Sequence, residues 1–235
     1  MHAFKQHSSR TPGQLTILAV AIASTLAVGQ AQALQLEATL LDNSTIISDS
    51  NTGFENPEGT IGKLNNSGTI SGYWAGINNQ GTITSLNNSI TGIISGDYAG
   101  IENYSAITTL NNSGIINNSN SNSNSNSNFM FGGRAIYNQG TITTLNNSGT
   151  ISNSNNNSNF MFGSGGAIYN QGTITTLNNS GTISNSNSNS NSNFMFGGGG
   201  AIYNWGTITA LNNSGTIIGS DYAIYNYSNA TLGKV

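Results

Sequence analysis

One phrase, L-N-N-S-G-T-I or a close variant, starts at Leu64, Leu86, Leu110, Leu145, Leu177 and Leu211, with a looser copy, L-D-N-S-T-I-I, at Leu41. Upstream of most copies stands G-T-I-T-x-L or a relative, and upstream of that A-I-Y-N-Q or a relative. A unit of about 22 residues written in tandem is the period of a solenoid, in which each unit buries its apolar residues only against its neighbours. Within the unit the apolar residues stand singly: Ile83 lies between Thr82 and Thr84, and Ile142 between Thr141 and Thr143. That alternation belongs to a half-buried strand. Thr and Ile favour strands, whereas Gly, Asn and Ser mark turns.

A short strand with one inward residue cannot make a core alone, but identical strands stacked in register can. The reading is therefore all-β: a single-stranded, right-handed parallel β-helix of about seven rungs, spaced ~4.8 Å apart, occupying residues 34–235. One expected internal ladder is Ile61, Ile83, Ile107, Ile142, Ile174 and Ile208. A second is Ile70, Ile94, Ile116, Ile151, Ile183 and Ile217, and a third is Ile77, Ile101, Ile136, Ile168, Ile202 and Ile224. Asn65, Asn87, Asn111, Asn146, Asn178 and Asn212 are expected at one corner, and Asn79, Asn103, Asn138, Asn170, Asn204 and Asn226 at another. A side-chain amide both donates and accepts, so identical asparagines can bond from rung to rung. Asn also tolerates the left-handed backbone that a sharp corner can require. N-x-S glycosylation sequons abound in the same places, but turn chemistry alone calls for Asn at each corner.

The first residues follow another rule. Lys5 and Arg10 form a basic start, Leu15 to Val28 is apolar but too short to span a bilayer, and Ala31-Gln32-Ala33 is a small-x-small site. Residues 1–33 read as a secretory signal peptide cut after Ala33, with Ala31 and Ala33 as the cleavage residues. His2 and His7, the only histidines, leave with it, and the chain has no cysteine. A Ser-His-Asp triad, a Cys-His pair, a conventional zinc site and disulfides are thereby excluded from the mature chain. No cofactor and no metal site are expected. The eight acidic residues are then opposed only by Lys63, Arg134 and Lys234, and no charge occurs between Ala135 and Ser220. Nucleic acid, which needs a basic footprint, is not an expected partner. No later stretch is long and apolar enough for a transmembrane helix.

A signal peptide followed by tandem N-S-G-T-I and A-I-Y-N-Q-G-T-I-T rungs, free of cysteine and poor in charge, resembles the passenger region of bacterial type V autotransporters. These adhesin-like passengers carry a pertactin-like or pectin-lyase-like β-helix. The resemblance runs from Leu34 to Val235 and implies export through the inner membrane. The cell surface, outer membrane or extracellular space would follow where a translocator is available, and the periplasm otherwise. It implies a cell-surface protein or glycan as partner. Such passengers are followed by a translocator barrel of alternating strands with aromatic girdles, expected at full length and not found in this sequence. The final N-A-T-L-G-K-V matches the start of an eighth rung, so the C-terminus reads as incomplete.

Carbohydrate-active enzymes on β-helices cluster carboxylates, and here the acids are scattered, so no catalytic residue is assigned. A lyase or hydrolase stands as the alternative function. The pairs Thr82/Thr84, Thr141/Thr143, Thr173/Thr175 and Thr207/Thr209 make an outward T-x-T array similar to an ice-binding face, although Thr also suits any solvent-facing strand. Tyr137, Tyr169, Tyr203 and Tyr225 should stack at one outward strand position, beside Gln139, Gln171, Trp205 and Tyr227. Rigid aromatics among uncharged polar groups suit carbohydrate or protein contact, and Tyr137, Tyr169, Tyr203 and Trp205 are candidate binding residues.

Three Ser-Asn tracts, near 117–133, 153–166 and 185–200, interrupt consecutive rungs between the second and third strands. Such a tract has nothing apolar to bury, and its length varies because loop-closure entropy grows slowly. Each nevertheless ends in an apolar triplet: Phe129-Met130-Phe131, Phe160-Met161-Phe162 and Phe194-Met195-Phe196. Either these nine residues fold back on the rod, or they form a contiguous binding patch. Fold-back is the expected arrangement, and replacing the six phenylalanines with serine should then lower the thermal midpoint markedly. Unchanged stability with lost adhesion would identify a binding patch instead.

Overall fold

The computed structural model describes residues 40–118, 133–154, 165–186 and 200–235. The leader with Ala31 and Ala33, and the triplets Phe129-Met130-Phe131, Phe160-Met161-Phe162 and Phe194-Met195-Phe196, lie outside the described residues. Each rung gives one strand to each of three parallel sheets, so the chain is an all-β parallel solenoid. The first sheet holds the long strands Thr60–Asn66, Thr82–Asn88, Ala106–Asn112, Thr141–Asn147, Thr173–Asn179 and Thr207–Asn213, flanked by Leu41–Asn43 and Thr231–Lys234. The second runs from Ile46–Asp49 through Thr150–Asn153 to Thr216–Gly219. The third runs from Thr52–Asn56 through Arg134–Asn138 to Tyr222–Asn226. Among the described residues no helix is long and apolar enough to cross a membrane.

Like residues meet from rung to rung. Ile142 is the Cα partner of both Ile107 and Ile174, Ile151 that of Ile116 and Ile183, and Ile136 that of Ile101 and Ile168. All three isoleucine ladders face the interior and are fully buried in the central rungs. A fourth column, Leu64, Leu86, Leu110, Leu145, Leu177 and Leu211, is buried as well. Leu and the inward Ile three residues before it are both buried, while the two residues between them are not. Burial of each such side chain is worth about 2 kcal/mol, repeated along the rod.

The ladder expected of Asn65 and its equivalents is present, and beside it runs a buried one. Asn65 and its equivalents are the outward member of each Asn-Asn pair, and Asn66, Asn88, Asn112, Asn147 and Asn179 are the buried one. Side-chain alternation decides this, since Leu64 points in, Asn65 out and Asn66 in. Both members nonetheless form ladders. On the outside, Asn87 Nδ2 donates to Asn65 Oδ1 at 2.8 Å, and Asn111 to Asn87 at 2.8 Å. Inside, Asn112 Nδ2 donates to Asn147 Oδ1 at 2.8 Å and to the carbonyls of Gly114 and Thr150 at 3.3 and 3.1 Å. At the other corner, Asn138 Nδ2 donates to Asn170 Oδ1 at 2.7 Å and to the carbonyls of Gly140 and Thr173, both at 3.2 Å. Left-handed asparagine is not the device: among the described residues only Gly59 has a positive φ, at 99°. The corner is closed by side-chain amides that satisfy backbone carbonyls. Glycine is required beside them for space, since a Cβ on Gly149 would stand 2.2 Å from the carbonyl oxygen of Gly114 on the rung below.

The inserts lie between second- and third-sheet strands, with Asn117, Asn118, Asn153, Asn185 and Gly200 inside the flanking strands, and the register on both sides of each is kept. A further set of buried asparagines marks their mouths. Asn118, Asn153 and Asn185 stand where the neighbouring rungs have Gly96 and Gly219. Asn153 Nδ2 donates to the carbonyl of Gly165 at 2.7 Å, and Asn185 Nδ2 to those of Gly165 and Gly200 at 2.8 and 3.0 Å. The amide thus ties the strand before an insert to the chain that returns from it.

Asn138→Ala should strand the buried Oδ1 of Asn170 above and break the ladder to Asn103 below, whose amide keeps the carbonyls of Ser105 and Thr141. A loss of about 3 kcal/mol is expected, against under about 1 kcal/mol for Asn146→Ala on the outer ladder. Urea denaturation of the two variants measures the difference.

Candidate binding face

The third sheet and the turn that follows it carry the aromatics. By register, Glu55, Asn78, Glu102, Tyr137, Tyr169, Tyr203 and Tyr225 form one column. Tyr104, Gln139, Gln171, Trp205 and Tyr227, each following a corner asparagine, form the column beside it. The upper rungs of both are continuous in ring contacts. Tyr104 meets Tyr137 edge-on at 6.0 Å, Tyr137 lies 5.8 Å from Tyr169, and Tyr169 stacks at 6.2 Å on Tyr203 and at 6.4 Å on Trp205. Trp205 stacks face to face on Tyr227 at 3.7 Å, and Tyr203 lies 5.4 Å from Tyr225. The strip results from the repeat itself, because one outward strand position written as Tyr on successive rungs must place its rings within contact distance.

The candidate residues are not equivalent within the strip. Tyr137 and Tyr169 are half-buried, and Trp205 is 40 % exposed. Tyr203, expected to face outward, is 3 % exposed. Its ring lies over Gly166 and Gly200, where a Cβ would stand 2.9 and 2.8 Å away, so it supports the strip from beneath. Polar groups connect the others: Tyr137 Oη donates to Gln171 Oε1 at 2.8 Å, and Gln139 Nε2 donates to the same oxygen at 3.2 Å and to Tyr137 Oη. Tyr73, Trp74 and Tyr98 make a second, smaller cluster, with Trp74 and Tyr98 stacked at 4.2 Å. Tyr222 begins a third-sheet strand and packs on Tyr225 at 5.9 Å.

Arg134, which the motif reading passed over, is the centre of the face. Its register partner is Ala99, and its guanidinium carbon lies 4.6 Å from the ring centre of Tyr137 and 4.4 Å from that of Tyr169. Such contacts are cation–π interactions. Arg134 Nε is buried with no hydrogen-bond partner. Burial pulls the Arg134 pKa down, opposed by Tyr169, Tyr137, Glu102 and Tyr104 around it. Burial pushes the Glu102 carboxyl up, and the attraction of Arg134 only partly offsets this. Tyr104 is raised to about 12, first by burial and then by Glu102 and Tyr137, so its phenol stays neutral at physiological pH. The clue in the sequence is the repeat alignment: the one charged residue between Glu102 and Asp221 falls one rung above Glu102, beside two tyrosines.

The remaining candidates sit elsewhere. The outer threonines Thr84, Thr108, Thr143, Thr175 and Thr209 are all exposed, a column to which Thr108 adds a member. The Asn-Asn-Ser corner forms a shallow groove of about 760 Å³ along Asn111, Asn146, Asn178 and Asn212. Glu55 lies on the strand Thr52–Asn56 and Glu58 in the turn after it. Among the described residues, no three His, Cys, Asp or Glu side chains come together in a metal-binding group. The face holds rings, amides and one guanidinium, a set suited to binding.

Comparison with the profiles of known protein families, with curated proteins and with solved structures finds no match.

Because burial raises the Glu102 pKa above its unfolded value, the ionised carboxylate is the disfavoured form in the folded protein. Stability should rise as pH falls through the folded pKa. Glu102→Gln removes the cost of ionisation, so the variant should melt above the parent at about pH 7. The gap should close near about pH 4, and melting curves at the two values check it.

Proposed function

We propose that this chain is an exported, non-catalytic surface rod of the autotransporter-passenger type, acting as an adhesin or structural surface protein through contacts along its side. The carrying observation is the strip from Tyr104 to Tyr227, a run of ring contacts along one flank of a parallel β-solenoid. A solenoid lengthens a flat lateral surface without enlarging its core, and rigid aromatics on that surface bind at small entropic cost. The scattered carboxylates support the non-catalytic reading. The leader supports export, with the cell surface as destination where a translocator is available and the periplasm otherwise.

Expression of the full chain in a Gram-negative host should yield a protein beginning at Leu34, as read by mass spectrometry of its N-terminus. The purified rod should bind intact cells or immobilised surface glycans and proteins, and Trp205→Ala with Tyr227→Ala should lower that binding about tenfold. An uncleaved leader would remove the export reading, and indifference of binding to the double variant would remove the lateral one.

A further inference from the structure

We infer that Arg134, held against the rings of Tyr137 and Tyr169, is a subsite for the carboxylate of an acidic sugar residue in a glycan lying along the aromatic strip. The inference deepens the proposed lateral binding and rests on it.

Arg134 is half-buried, and the part of its guanidinium that is withdrawn from water, Nε, needs compensation. The two tyrosine rings, at 4.6 and 4.4 Å, supply part of it through their faces. They supply no acceptor for its N–H groups. Nε is buried without a hydrogen-bond partner, and Glu102, one rung below, makes no ion pair with the guanidinium among the described residues. A planar fork whose Nε–H is unmatched is complementary to a carboxylate, which accepts two parallel N–H bonds. The rings also restrict the guanidinium plane, so less freedom is lost when an anion binds.

The surroundings select a sugar as the carrier of that carboxylate. From Arg134 the strip continues upward through Tyr169 and Trp205 to Tyr227, all uncharged, with the amides of Gln139 and Gln171 beside it. Ring faces pack on the apolar C–H face of a pyranose, and amides bond its hydroxyls. Rungs ~4.8 Å apart repeat at close to the length of one sugar residue, so a glycan parallel to the rod could meet one rung per residue. Downward, Glu55 and Glu102 occupy the tyrosine column and repel a polyanion, so the acidic residue belongs at Arg134 and the rest of the glycan extends toward Trp205.

Calorimetric titration of the full mature chain with a short oligoglucuronate, and with a neutral glucose oligomer of equal length, tests this. The acidic oligomer should bind more tightly, and its affinity should fall about tenfold in Arg134→Gln while that for the neutral oligomer is unchanged. Arg134→Lys, which keeps the charge and loses the fork, should fall between parent and Arg134→Gln. Glu102→Gln should tighten acidic binding by removing a nearby negative charge. Circular dichroism and melting curves establish that each variant folds. Equal binding of oligoglucuronate by parent and Arg134→Gln overturns the subsite. So does competition by inorganic phosphate at the same concentration as effective as that of the sugar. In either case, cell or surface binding that is still sensitive to Trp205→Ala and Tyr227→Ala leaves the lateral reading standing. Absence of any surface binding by the parent chain removes both.

Discussion

The amide-to-amide hydrogen bond between asparagines on successive rungs is the interaction on which the rest of this structure depends. A solenoid corner turns the backbone away from its sheet and leaves carbonyls that no strand can satisfy. Asn147 shows the solution: its Nδ2 donates to Asn179 Oδ1 at 2.7 Å and to the carbonyls of Gly149 and Thr182 at 3.3 and 3.1 Å. Its own Oδ1 receives Asn112 Nδ2 at 2.8 Å. Each asparagine thus satisfies its own corner and orders the next, and in the interior these bonds polarise one another. The arrangement works only if every rung has the same residue at the same place, because a one-residue slip would set Asn147 opposite the outward Asn178, or Asn138 opposite the outward Tyr169, and break both ladders. Register, rung length and the Asn-rich composition all follow from that requirement.

Once the corners set the register, the outer faces become columns, and their chemistry is whatever a given outward position repeats. Thr at one position makes a polar flank, and Tyr at another makes a strip of contacting rings. The same rule explains how long tracts are carried without damage. An insert placed after Asn118, Asn153 or Asn185 leaves the strands on both sides paired, and the buried amide of Asn153 or Asn185 bonds to the returning chain. Arg134 departs from the repeat at one of these junctions. It is the first strand residue after the first insert, in a position that is Ala one rung below. A cation in an uncharged aromatic setting is expensive to keep and effective as a recognition group, for the same electrostatic reason.

Much of this could be read from the letters. Period and alternation together pointed to a parallel β-solenoid, and the three isoleucine ladders follow from aligning one rung on the next. The outward tyrosine column and the position of the inserts were legible for the same reason, since translation by one rung maps each residue onto its equivalent. What escaped is what requires more than translation. Which asparagine of each pair is buried depends on the phase of the strand at its corner. Tyr203 carries the same letter as Tyr137 and Tyr169, yet it is buried, with its ring close against Gly166 and Gly200, where a side chain would leave no room for it. Leu64 and its equivalents are inward three residues after the isoleucine, where strict alternation would turn them out.

By itself, then, the sequence determined the architecture, the register of the rungs and the residue types on each flank, because a one-dimensional repeat makes nearest-neighbour contacts a matter of counting. Only the tertiary structure decided the pairing of Arg134 with Tyr137 and Tyr169 and the burial of Tyr203 beneath the strip. Those depend on how side chains of unequal size settle across adjacent rungs, and the repeat leaves that to packing.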